Sequence, residues 1–239
     1  MQNDVLRAGP LSRTLLIAFW ICSAVHLALV AADADPMNSL TKALVMPLLA
    51  AWVLAQRGPR PLVAALLLSW GGDVALEIDG FFLVGMALFA GAHVCYVTYF
   101  VREGALDALR RRPVVPVVYA VVWAGLVFFL WPGLGDLRLP VAGYSLLLTA
   151  TAVTAAGHGL RIGAGGALFL LSDTLIAFDL ADLPLPPMNG LVVMATYIAA
   201  QYLLASGIVN RLRTRNLQGR EVRQVSTGRE THPSSTDGS

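Results

Sequence analysis

Residues 62–100 read LVAALLLSWGGDVALEIDGFFLVGMALFAGAHVCYVTYF. Two apolar runs, 62–79 and 82–100, are parted only by the polar turn at Asp79-Gly80. At about 1.5 Å per helical residue each can cross a hydrocarbon layer about 30 Å thick. Yet Asp73, Glu77 and His93 lie inside them. Ionisable groups at such depth are costly unless they face other helices or a wet cavity, so this stretch predicts a hairpin of two helices within a larger bundle. Working outward, six further apolar runs appear at 14–32, 38–56, 114–131, 141–158, 165–180 and 189–209. Their breaks carry turn chemistry: Asp35-Pro36, Arg57-Gly58-Pro59, Pro132-Gly133 and the proline-rich 184–187, where proline removes an amide donor and crowds the preceding turn. The expected fold is all-α, a polytopic membrane bundle of eight transmembrane helices.

Composition agrees. The 239 residues are 56% hydrophobic and 13% charged, with mean hydropathy +0.67, far from the balance of a soluble domain. Arg7, Arg13 and the apolar run to Leu29, followed by Ala32-Asp33-Ala34, have the outline of a secretory signal, but the run is long for one and carries His26, so it is read as the first helix. Orientation follows from the cations, since positive loops stay in the cytoplasm. One side collects Arg7, Arg13, Arg57, Arg60, Arg102, Arg110, Arg111, Arg112, Arg161 and all six tail arginines; the other has Arg138, with Lys42 just inside a helix. Both termini are therefore expected inside. The domain reading is one eight-helix unit over 1–210 and a disordered basic cytoplasmic tail over 211–239, rich in Arg, Ser, Thr and Gly without apolar period. Its first arginines suit anionic head groups, and no aromatic residues interleave with the basic runs as nucleic-acid binding would require. Cys22 and Cys95 sit in apolar runs and imply no disulfide framework.

The candidate site is polar chemistry at mid-depth. His26, Asp73, His93, Asp173 and Gln201 each lie roughly a dozen residues from a loop, which puts them in one layer. Helical spacing gives each a face: Ser69, Asp73 and Glu77 are four apart, Gly85, Phe89, His93 and Tyr96 form a second stripe, Phe169, Asp173 and Ile176 a third, and Met194, Tyr197 and Gln201 a fourth. A lone His or Gln is often only a packing hydrogen bond between helices, whereas two aspartates in one dry layer ask for a use. Lys42 can snorkel outward or turn in to a carboxylate. The histidines have neither i, i+4 spacing nor a His-x-x-Glu pattern, so no metal site is expected.

The string GGDVALEIDGFFLVGMALFAGAHVCYVTYF, with GALFLLSD and YIAAQYLL further on, resembles the YhhN-like lysoplasmalogenase family. The likeness runs over helices 2 to 8 and rests on Lys42, the Gly72-Asp73 pair, the ladder Phe82, Gly85, Phe89, His93 and Tyr96, the segment from Gly166 through Phe169 to Ser172-Asp173, and Tyr197 with Gln201; Ala43 stands where many relatives have proline. The resemblance implies hydrolysis of the vinyl ether bond of a lysophospholipid substrate to a fatty aldehyde and a glycerophospho-base, without a cofactor.

The residues permit that reaction. Vinyl ether hydrolysis starts with a proton delivered to the carbon remote from oxygen, followed by capture of an oxocarbenium ion by water. Two carboxylates in a water-poor layer can share the work of acid and anion, as in glycosidases. Asp73 and Asp173 are the expected catalytic pair, with His93, Tyr96, Gln201 and Ser172 supporting or relaying protons and Lys42, Glu77 and Tyr197 binding substrate. A proton-coupled transporter would use the same mid-membrane carboxylates, and a haem carrier using His26 and His93 is the third reading. The high Ala, Gly and Arg usage suggests a bacterial source, and hence the inner membrane.

Overall fold

The computed structural model describes residues 9–34 and 37–230; Arg7, the Asp35-Pro36 break and positions 231–239 lie outside the described residues. Among the described residues nine α-helices are formed: α1 (Pro10–Ala31), α2 (Met37–Ala55), α3 (Arg60–Leu76), α4 (Phe82–Arg102), α5 (Ala105–Arg110), α6 (Val114–Leu130), α7 (Arg138–Ala156), α8 (Leu160–Leu180) and α9 (Asn189–Glu230), with a 3-10 turn at Gly135–Leu137 before α7. Six of them, α1, α2, α4, α7 with its leading turn, α8 and α9, are long and apolar enough to cross a membrane. At 17 residues each, α3 and α6 are shorter. Large apolar side chains face outward, among them Ile21, Val121 and Phe128, the last 84% exposed. Bilayer lipid is the solvent that accepts such a surface.

The apolar runs read from sequence map onto α1, α2, α3, α4, α6, α7, α8 and α9. Two features differ. The short α5 follows Gly104, whose φ of +91° starts a turn that favours glycine, and it buries Ala105 and Leu109; six residues are too few to show a period. At the other end, α9 continues to Glu230, where a structureless tail was expected from position 211. A helix already nucleated by packing needs no new nucleus to lengthen, and Arg, Leu, Gln and Glu propagate it well. The first tail arginines also have protein partners rather than head groups alone: Arg211 donates to the His158 carbonyl at 3.3 Å, Arg213 to Gln56, and Arg215 pairs with Glu103.

Two close approaches set the bundle. Where α3 crosses α4, a Cβ at Gly72 would lie 2.6 Å from the Phe89 ring and 3.2 Å from the Gly85 carbonyl oxygen, so only glycine lets the Asp73 turn seat against the middle of α4. On α8, Gly165 lies against the α9 backbone at Ala200 and Leu204, and Gly166 against Ala152 of α7. Small residues at such crossings allow the backbone contact that drives helix association in lipid. The core between these crossings contains Phe89, Tyr96, Phe169, Tyr197 and Leu204, all nearly sealed from solvent. Helix α6 stands apart, packing chiefly on α7 and burying only Leu130.

Candidate active site

The two glycine crossings bring α3 and α8 to the lining of one cavity of about 120 Å³. Asp73 and Asp173 both line it, together with Tyr144 of α7, Tyr197 of α9, Ser172 and Lys42. The remaining wall is apolar, including Phe89, Met86 and Met194. Asp73 is 4% exposed. Among the described residues, no three His, Cys, Asp or Glu side chains cluster as metal ligands would.

Each carboxylate is held by a tyrosine. The Tyr197 hydroxyl donates to Asp73 Oδ2 at 2.8 Å, and the Tyr144 hydroxyl is hydrogen-bonded to Asp173 Oδ2. Behind Tyr144 stands His93, whose Nε2 is 3.3 Å from the phenol oxygen and whose Nδ1 is 3.1 Å from Thr151 Oγ1. Thr151 Oγ1 in turn reaches the Leu147 carbonyl at 3.2 Å. This file has two self-consistent proton settings. With Asp173 ionised, Tyr144 donates to it, His93 Nε2–H donates to Tyr144, and Thr151 donates to Nδ1. With Asp173 protonated, every donor reverses: Asp173 to Tyr144, Tyr144 to Nε2, Nδ1–H to Thr151, and Thr151 to the Leu147 carbonyl. A neutral imidazole accepts on one nitrogen while donating on the other, so either setting is satisfied. Behind Tyr197 stands instead the Gln201 amide, which has no imidazole-like pair of nitrogens to exchange donor and acceptor roles.

The other residues expected at the site fall into four places. Ser172 lines the cavity, but its hydroxyl donates to the Val193 carbonyl at 3.0 Å and braces α8 on α9. Tyr96 and Gln201 lie deeper: Tyr96 donates to Gln201 Oε1 at 2.6 Å, and Gln201 Nε2 donates to Ser69 at 3.0 Å. That triad ties α4, α9 and α3 together beneath the cavity rather than lining it. Lys42 sits at the cavity edge and pairs with Glu77 at 2.7 Å, while Ser39 donates to the same carboxylate at 2.5 Å. Glu77 thus reaches the cavity only through Lys42. His26 is not part of the cavity lining, its Nδ1 lying 3.1 Å from the Asn38 carbonyl and 3.0 Å from Thr41 Oγ1, a tie between α1 and α2.

Sequence reasoning missed Tyr144 and Thr151. Their helix carries no acidic, basic or imidazole side chain in its apolar interior to mark it. The signal available was spacing: Tyr144, Leu148 and Thr151 stand at i, i+4 and i+7 and share a face.

The YhhN family model matches residues 37–208, from the start of α2 to the end of the apolar part of α9. The chain is similar to the human lysoplasmalogenase TMEM86B, 37% identical over 157 residues, which is 64% of this chain and 66% of the human protein. The pig TMEM86B lysoplasmalogenase is 37% identical over 62% of each chain. A lysoplasmalogenase of Mycobacterium tuberculosis is 30% identical over 226 residues, 83% of this chain and 86% of the relative. The matched region thus spans just under two thirds of the mammalian relatives and most of the mycobacterial one. No solved structure matches the chain.

Proposed function

Because the chain belongs to the YhhN family, we propose that it is a lysoplasmalogenase, hydrolysing the vinyl ether bond of a lysophospholipid within the membrane. The observation that carries this reading is the meeting of Asp73 and Asp173 on one small, largely apolar cavity with Lys42 at its edge. Lys42 suits a substrate phosphate, and the apolar wall suits the vinyl ether carbons. The matched relatives bear lysoplasmalogenase names and none of those described above is a transporter, so the transporter reading gains nothing from them.

The division of labour follows from the hydrogen bonds. Asp173 is the acid, because the file through Tyr144, His93 and Thr151 can accept from its protonated carboxyl as readily as it donates to the ionised one. Its proton passes to the alkenyl carbon remote from oxygen, the double-bond electron pair forming the new C–H bond and leaving an oxocarbenium ion. Asp73, which accepts from Tyr197, is the anion beside that charge and takes a proton from the attacking water as the C–O bond of the hemiacetal forms. Collapse reverses the roles: Asp73 returns its proton to the ether oxygen as the C–O bond breaks, and the hemiacetal hydroxyl gives its proton to Asp173. One water is consumed, and a fatty aldehyde and a glycerophospho-base leave. His93 is a positioning group, Tyr96, Gln201 and Ser172 hold the helices that carry the pair, and Glu77 sets Lys42.

The same proposal takes residues 1–210 as one domain of eight spans with both ends cytoplasmic in a bacterial inner membrane, and the basic remainder as a cytoplasmic extension. Helices of 17 residues fall at the short end of the spanning range, about 17 to 25 residues, which leaves room for α3 and α6. The turns joining α3 to α4 and α8 to α9 then share the arginine-poor side. The test is aldehyde release from a purified lysoplasmalogen by wild-type protein in detergent, beside Asp73→Asn and Asp173→Asn. Wild-type protein that releases none, or a variant that keeps near-normal turnover, defeats the assignment.

A further inference from the structure

The cavity holding the aspartate pair does not end at Asp173. A second, almost wholly apolar cavity between α6, α7 and α8 shares Val141, Tyr144, Asp173 and Ala177 with it. A third, a broad groove between α5, α6 and α7 whose wall is again almost wholly apolar, shares Trp123 and Thr149 with the second. The three therefore adjoin through these shared residues, in the order carboxylates, inner cleft, open groove. Across the second junction lies the Trp123 indole, half-buried, its Nε1 donating to Ser145 at 3.0 Å and so bridging α6 to α7.

Resting on the hydrolase reading above, we propose that the cleft between α6 and α7 is the subsite for the substrate's alkenyl chain, and that Trp123 gauges its length. Three features point to this occupant. The cleft starts at the carboxylate and tyrosine that would meet the vinyl ether, so whatever continues the substrate beyond that bond must enter it. Its wall has no charged residue except Asp173, shared with the first cavity, which suits a hydrocarbon and excludes the head group, for which the first cavity offers Lys42. Finally, the lining on α6 runs from Val122 to Leu130, about 12 Å at about 1.5 Å per residue, close to the depth of one leaflet's hydrocarbon, about 15 Å. Since α6 is tied mainly to α7, it is the wall able to admit a chain sideways from the bilayer.

The test uses the full-length protein in detergent and a non-hydrolysable 1-O-alkyl lysophospholipid with a photoreactive diazirine at the chain end. Adducts are expected within 116–127 and 145–154, reduced at least tenfold by unlabelled alkyl lysolipid. Adducts elsewhere, or adducts in the cleft that resist competition, overturn the subsite. In parallel, kcat/KM is followed for vinyl ether substrates of increasing chain length. Wild-type protein should gain about fourfold per added methylene until the chain meets Trp123, and then level off. Trp123→Ala should move that plateau to chains longer by about two carbons; an unmoved plateau overturns the gauge. Cleft labelling without aldehyde release at any chain length supports the subsite while sinking the hydrolase reading alone.

Discussion

The Tyr197 hydroxyl meets the Asp73 carboxylate at 2.8 Å, joining α9 to α3 across 124 positions of the chain. Tyr144 does the same for Asp173 from α7. Each acidic group thus has a phenol as a hydrogen-bond partner, and the two differ in what stands behind that phenol: the His93 imidazole for Tyr144, the Gln201 amide for Tyr197.

Removing either carboxyl group's ability to ionise or to donate as an acid should stop turnover with the fold intact. Asp73→Asn and Asp173→Asn are each expected to lower kcat about 10²- to 10⁴-fold, the usual worth of a positioned acid or base. Thermal unfolding in detergent, read beside aldehyde release, separates loss of chemistry from loss of structure.

The file behind Asp173 predicts a cost in kcat when it is interrupted. Tyr144→Phe should lower kcat roughly tenfold to a hundredfold, as expected for removing one buried hydrogen bond to an ionisable group, with little change in KM. His93→Gln should lower kcat too, and the double variant should lose no more than the worse single one, because both interrupt a single file. Additive losses in steady-state kinetics would mean that His93 acts elsewhere.

Lys42 should act on binding. Lys42→Gln is expected to raise KM for a lysophospholipid about tenfold and to leave kcat within a few-fold, the signature of binding shared by ground and transition states. A vinyl ether lacking the phosphate should be insensitive to the change, which a two-substrate comparison reads directly.

Packing at the α3–α4 crossing is equally testable. A methyl group at Gly72 meets the Phe89 ring at 2.6 Å, so Gly72→Ala should destabilise the protein by about 1 to 3 kcal/mol. Adding Phe89→Leu should recover part of the lost unfolding midpoint, since the ring is the main obstacle.

Topology can be read by thiol labelling in intact cells after Cys22 and Cys95 are replaced by serine. Single cysteines at Asp79, Asp136 and Leu185 should react with an impermeant maleimide added outside, while those at Arg102 and Arg111 should react only after lysis. The opposite pattern inverts the proposed orientation.

Much of this molecule could be read before any coordinates. Proline and glycine breaks marked where helices stop, because those residues lack the amide donor or the side chain that a helix interior needs. The regular spacing of Ser69, Asp73 and Glu77, and of Phe89, His93 and Tyr96, gave each polar group a face. Harder to see were α5, too short to repeat its pattern, and the helical run beyond position 211, where a polar segment inherits its conformation from the packed helix before it.

Sequence by itself determined that this chain is a bundle of apolar helices with a few acidic, imidazole and phenol groups at similar depth, because helix length and periodicity are local properties of the chain. It could not decide which of those groups meet. That depends on how helices rotate and cross, which glycine contacts such as Gly72 with Gly85 fix only when distant segments touch. Tertiary structure alone therefore set Asp73 and Asp173 on one cavity, drew Tyr144 in beside them, turned Tyr96 and Gln201 to a brace below, and left His26 with α2.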